Sequence, residues 1–112
     1  MKDTEFEMIV SEQLDICKHI LNIKKEEYAA DCDRLHNFRL AADLQGINIV
    51  QALGGMMVKH TASVYDLIRE SDNSDFVNMR LWNEKITDHI NYLLLLKAAV
   101  VEHSREDCCC CE

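Results

Sequence analysis

The chain has 112 residues, the size of one domain, and 48% of them are hydrophobic, which is too rich for a disordered chain. A formal net charge of -8, with no basic cluster longer than Lys24-Lys25, disfavours binding to duplex nucleic acid. Proline is absent and there are three glycines, too few turn residues for a many-stranded β fold, so an all-α bundle of three long helices and one short helix is expected.

The first helix is predicted to start at Thr4, where Thr4-x-x-Glu7 reads as a capping box. Phe6, Ile9, Val10, Leu14, Cys17, Ile20, Leu21 and Tyr28 follow at helical spacing, which carries the helix to about Ala30. Asp31 to His36 breaks that pattern and reads as a loop. A short helix over Asn37–Leu44 turns Phe38, Ala41 and Leu44 inward, and Gly46 suits its C-terminal cap.

The third helix starts at Asn48, with Gln51 completing a second capping box, and runs through Leu53, Met57 and Val64 to Ile68. Gly54-Gly55 inside it costs about 1 kcal/mol per glycine relative to alanine. The pair suits close approach by a neighbouring helix, the commoner use, or by a ligand. Ser71–Asp75 is a polar turn, and the fourth helix is predicted over Asp75–His103. Its run Leu93–Leu96 is apolar on every face, so this half is expected to be buried on all sides.

Residues 1–103 therefore form a single domain, and 104–112 form a flexible, cysteine-rich tail. Four of the six cysteines are consecutive, Cys108 to Cys111, and adjacent side chains diverge too far to surround one zinc ion. Cys17 falls on the apolar stripe and reads as a small core residue. The start of the chain is too acidic for a secretory signal and no apolar run spans a membrane, so a cytoplasmic protein without membrane contact is expected. Four helices of this length leave apolar surface uncovered, which points to a homo-oligomer.

Several residue groups can carry chemistry. Glu84, Asp88, Asn91 and Leu95 are spaced by four, three and four residues, so they share one helix face. Two carboxylates one turn apart can share Mg²⁺, which takes oxygen ligands together with substrate phosphates. A solvated acidic face explains the same pattern equally well. Lys59, Ser63 and Asp66 repeat the spacing on the third helix, with His60 beside them. Lys59 reads as a phosphate contact or as a snorkelling surface lysine, and His60 as a packed residue more readily than a base. Glu27 and Asp31 are again four apart, in a charged stretch that also reads as a solvated patch. Arg34, His36 and Asn37 place a cation, an imidazole and an amide in one connection, where Asn37 also suits the cap of the short helix. No nucleophile elbow, phosphate-binding glycine loop or dinucleotide fingerprint is present.

Lys25-Glu26-Glu27-Tyr28, His36-Asn37-Phe38, Met56-Met57-Val58-Lys59-His60 and Glu84-Lys85-Ile86-Thr87-Asp88-His89-Ile90-Asn91-Tyr92 together resemble phage and prophage nucleotide-modification-associated domains. More distantly they resemble the MazG-like all-α nucleotide pyrophosphohydrolases. The resemblance covers roughly residues 10 to 101 and is strongest in the last helix. It implies a bacterial host and a nucleoside triphosphate as ligand. It also implies Mg²⁺ held by Glu27, Asp31, Glu84 and Asp88, with Arg34, His36, Asn37, Lys59, Asn91 and Tyr92 against the substrate. The earlier acidic pair departs from the enzymes' pattern, and Val58 stands where related domains often carry an acid before the lysine. Two functions are therefore expected in competition: a Mg²⁺-dependent pyrophosphohydrolase, or a non-catalytic nucleotide-binding or protein-interaction module on the same scaffold.

Overall fold

The structure, a computed structural model, describes residues 1–28, 33–73 and 76–109, with the side chains of 26–28 and 106–109 outside the description. Among the described residues the regular structure is four α-helices: α1 (Asp3–Tyr28), α2 (His36–Gln45), α3 (Ile49–Glu70) and α4 (Met79–Cys109). Among the described residues, no helix is long and apolar enough to cross a membrane.

Local signals set most of the helix ends. Asn48 accepts from the Gln51 N–H at 2.8 Å, and the Asn48 N–H donates to the Gln51 side chain at 3.2 Å, so the expected capping box opens α3. Gly46 closes α2 at φ 67°, a left-handed conformation that glycine takes without a Cβ clash. The other ends differ from expectation. The Phe6 N–H donates to the Lys2 carbonyl at 3.1 Å, so Thr4 lies inside the first turn of α1 and does not cap it. α1 is described to Tyr28, and the expected end at Ala30 lies outside the described residues.

α2 begins at His36 with Leu35 at its N-cap, so Asn37 lies inside the helix, and the Asp33 carboxylate accepts the Leu35 N–H at 3.0 Å. α4 begins at Met79, later than the expected Asp75, because Asn78 caps it: its side chain accepts the Leu81 N–H at 3.2 Å. At the other end α4 continues past His103 through Cys109, so residues 104–109 of the expected tail are helical, while 110–112 lie outside the described residues.

α4 runs along the middle of the molecule with α1 and α3 packed on it, and α2 packs on α1 and α3. Gln13 Nε2 donates to Thr87 Oγ1 at 2.8 Å, and Asn91 Nδ2 donates to the Cys17 carbonyl at 3.3 Å. Both bonds join residues 74 apart, so α1 and α4 run parallel in one register. Thr61 Oγ1 meets His89 Nε2 at 2.9 Å across the antiparallel α3–α4 hairpin.

The core joins Leu35, Phe38, Ala42, Ile49, Ala52, Leu53, Leu95 and Ala99, with Phe38 and Leu53 fully buried. Burying each such side chain contributes about 1.5–3 kcal/mol. Cys17 is buried as the sequence suggested. Leu44, expected inward, is 79% exposed, and Ala42 takes the inward place one half-turn earlier. Leu93 and Leu94 are about half exposed, while Leu95 is buried, so the apolar run of α4 is covered on one side only. A Cβ built on Gly54 or Gly55 meets no atom within 4 Å, so neither glycine serves close packing among the described residues.

Candidate functional site

A cavity of about 230 Å³ lies where α1, α3 and α4 converge. Lys24 enters its wall from α1, Lys59 and His60 from α3, and Asp88, Asn91 and Tyr92 from α4. The register explains the assembly. Asn91 sits on the α1–α4 seam opposite Cys17, and Asp88 lies three residues earlier, turned towards α3.

The cavity wall is anchored in the core through its aromatic rings. Phe38, fully buried, meets the Tyr92 ring edge-on at 6.2 Å between centroids. The His60 ring lies against Tyr92 at 4.3 Å with an interplanar angle of 32°. This packing fixes the His60 imidazole with Nδ1 at 4.0 Å from Asp88 Oδ2. Burial pushes the His60 pKa below its ordinary value, and Asp88 opposes that shift only in part. His60 is therefore neutral at pH 7, and a proton on Nδ1, facing the carboxylate, leaves Nε2 as an acceptor.

Two buried side-chain atoms here have no hydrogen-bond partner among the described residues: His60 Nε2 and Asn91 Oδ1. Asn91 is only 5% exposed, and its Nδ2 is committed to the Cys17 carbonyl, which fixes Oδ1 as the unpaired acceptor. Such an orphan costs about 1–3 kcal/mol, a cost that a ligand N–H donor would remove. The chemistry of the wall is thus two acceptors beside an aromatic ring, with lysines on either side.

The site gathers Lys59, Asp88, Asn91 and Tyr92 from the expected site residues, together with His60, which the sequence reads as packed more readily than as a base, and adds Lys24. Lys24 read as part of a solvated patch, but it continues the inward α1 positions Cys17, Ile20 and Leu21 at helical spacing, the signal that could have found it. Glu84 does not join them: its side chain is 60% exposed and its carboxylate is 3.9 Å from Lys85 Nζ. The side chain of Glu27 and the whole of Asp31 lie outside the described residues.

Arg34 is turned away from the cavity. It donates to the Leu21 carbonyl at 3.2 Å and lines a separate groove with Glu102 and Arg105. His36 and Asn37 open α2 and line neither. Sequence reasoning also missed a clamp beside that groove. Arg39 Nε meets Asp33 Oδ2 at 2.8 Å, and its Nη2 reaches both Glu102 oxygens at 2.7 and 2.8 Å. Arg39 holds the Asp33 carboxyl below its ordinary pKa, and the clamp ties the segment before α2 to the end of α4.

Of the four side chains expected to hold Mg²⁺, the described ones are Glu84 and Asp88. Asp88 is the one carboxylate of the cavity wall among the described residues, and Lys24 and Lys59 share that wall. No group of three or more His, Cys, Asp or Glu side chains among the described residues is arranged to hold a metal ion. The chain matches no protein-family model, no curated protein and no solved structure.

Proposed function

We propose that this chain is a non-catalytic nucleotide-binding protein on the MazG-like scaffold that its sequence resembles. The observation that carries the reading is the buried, unpaired Asn91 Oδ1 in a cavity that also holds Lys24, Lys59 and an imidazole–phenol pair. At about 230 Å³ the cavity is smaller than the roughly 300–1,000 Å³ of sites for drug-sized ligands. It takes a nucleobase, not a whole nucleotide. A base that presents N–H donors satisfies Asn91 Oδ1 and His60 Nε2, and the phosphates extend towards exposed Lys59. A nucleotide ligand suits the cytoplasm of a bacterial host.

Asp88 in the cavity wall favours the second reading, a Mg²⁺-dependent pyrophosphohydrolase, which would draw its remaining acids from Glu84, Glu27 and Asp31. Calorimetric titration with a panel of nucleoside mono- and triphosphates, with and without Mg²⁺, separates the two. Binding without pyrophosphate release, weakened about tenfold by Lys59→Ala, is expected, which corresponds to roughly 1.4 kcal/mol. Absence of binding to every nucleotide refutes both readings. Release of pyrophosphate that is lost in Asp88→Asn replaces the first with the second.

A further inference from the structure

The core lies at one end of the molecule. α1 and α3 both pack on α4, but among the described residues their backbones do not approach each other closely. α4 therefore floors a gap between them. α2 covers that gap only as far as its 10 residues reach, about 15 Å, while the 26 residues of α1 run about 39 Å.

The parallel register places the first half of α1 beside the start of α4, at the end away from α2. Every residue from Met1 to Glu12 is exposed there, including Phe6 at 57%, Ile9 at 46% and Val10 at 40%. Phe6 and Val10 stand seven residues before Gln13 and Cys17, so they continue the face that packs on α4 further along. At the same end, Leu67, Phe76, Trp82 and Ile86 line an apolar groove of about 500 Å³.

The areas measure what is uncovered. The chain exposes 8428 Å², whereas a compact monomer of its mass exposes about 6,300 Å². The radius of gyration is 17.0 Å against about 13 Å for a compact chain of this length. The excess is roughly 2,100 Å² per chain, above the roughly 800 Å² that each partner gives to a standard interface and within the range of obligate dimers.

We infer that the first half of α1 packs against a second copy of the chain, in a two-fold symmetric dimer that fills the bundle position α2 leaves open. An anionic membrane is the wrong partner for this face, because Asp3, Glu5, Glu7 and Glu12 flank the apolar side chains and only Lys2 offsets them. A second copy supplies an equal apolar stripe and covers both at once. The inference does not depend on nucleotide binding.

Size-exclusion chromatography with light scattering, at tens of micromolar and under reducing conditions, is expected to give twice 12.9 kDa. The double variant Ile9→Glu, Val10→Glu is expected to give the single-chain mass with helical circular dichroism retained. A photo-crosslinking amino acid, p-benzoylphenylalanine, is placed at position 6 in an otherwise unchanged chain, which keeps the test valid if the charged variant unfolds. Irradiation is expected to yield a covalent dimer from position 6 and none from position 100, on the face of α4 opposite Asn91. A single-chain mass for the unaltered protein, or crosslinking from position 100 and not from position 6, overturns the inference.

Discussion

Replacing Asn91 by leucine should strengthen the fold while removing ligand binding. The two side chains share branching and heavy-atom count, so the change keeps shape and alters polarity. The site is only 5% exposed. Asparagine contributes one hydrogen bond there, Nδ2 to the Cys17 carbonyl at 3.3 Å, worth about 0.5–1.5 kcal/mol. Against it stands the unpaired Oδ1, which costs about 1–3 kcal/mol. The Cys17 carbonyl lies mid-helix and keeps its place in the α1 ladder. Leucine also brings apolar surface next to Leu95, one turn on.

The balance is a gain of about 1–2 kcal/mol, which for a domain of this size is a rise in Tm of roughly 5–10 °C. Scanning calorimetry without ligand reads the Tm, urea unfolding checks the free energy, and titration calorimetry with nucleotide reads binding. A variant less stable than the parent refutes the argument, because Oδ1 must then have a partner in the folded protein. A more stable variant that still binds nucleotide with parental affinity refutes the role given to Asn91.

Two further predictions concern pH. Arg39 depresses the Asp33 pKa, so the clamp contributes stability above the ordinary Asp value of 3.8 and loses it as pH falls through the lower folded value. Urea unfolding between about pH 2 and 6 should therefore show a shallower acid limb for Arg39→Met than for the parent, and equal slopes would refute the clamp. His60 is shifted below 6.5 by burial, so the folded state binds fewer protons than the unfolded state. Its contribution is complete above 6.5 and is lost as pH falls through the lower folded value. NMR should find the His60 ring titrating below 6.5, and His60→Phe should flatten stability in that window. A His60 titrating at or above 6.5 would contradict the burial argument.

How much was legible in the sequence depended on how local the cause was. Asn48 with Gln51, and Gly46 after α2, act over three or four residues, and both appear as read. Helix starts at Thr4 and Asp75 went wrong because several residues near each end can cap. The structure uses the Lys2 carbonyl for α1 and Asn78 for α4. Spacing and hydrophobicity turn Leu44 and the Leu93–Leu96 run inward, and neither says whether a partner surface exists within the chain. For the site, periodicity put Glu84, Asp88 and Asn91 on one face, yet across that face exposure changes from 60% for the Glu84 side chain to 5% for Asn91. Which of them faces α3 depended on the α3–α4 register, and the Arg39 clamp depended on residues 63 apart. Neither is written in spacing.

The parallel seam between the first and last helices has a consequence for the order in which the molecule forms. Contacts within α2–α3 and α3–α4 join neighbours in the chain, whereas Gln13–Thr87 and Cys17–Asn91 close a loop of 74 residues. Loop closure on that scale is slow relative to hairpin formation, so α1 is expected to dock last and to detach first. The cavity between α1, α3 and α4, which borrows Lys24 from α1, then exists only while that helix is seated. A ligand held there would share one equilibrium with the docking of α1, and the buried Cys17 thiol on the seam would be a chemical clock for it, open to alkylation only in the moments when α1 is away.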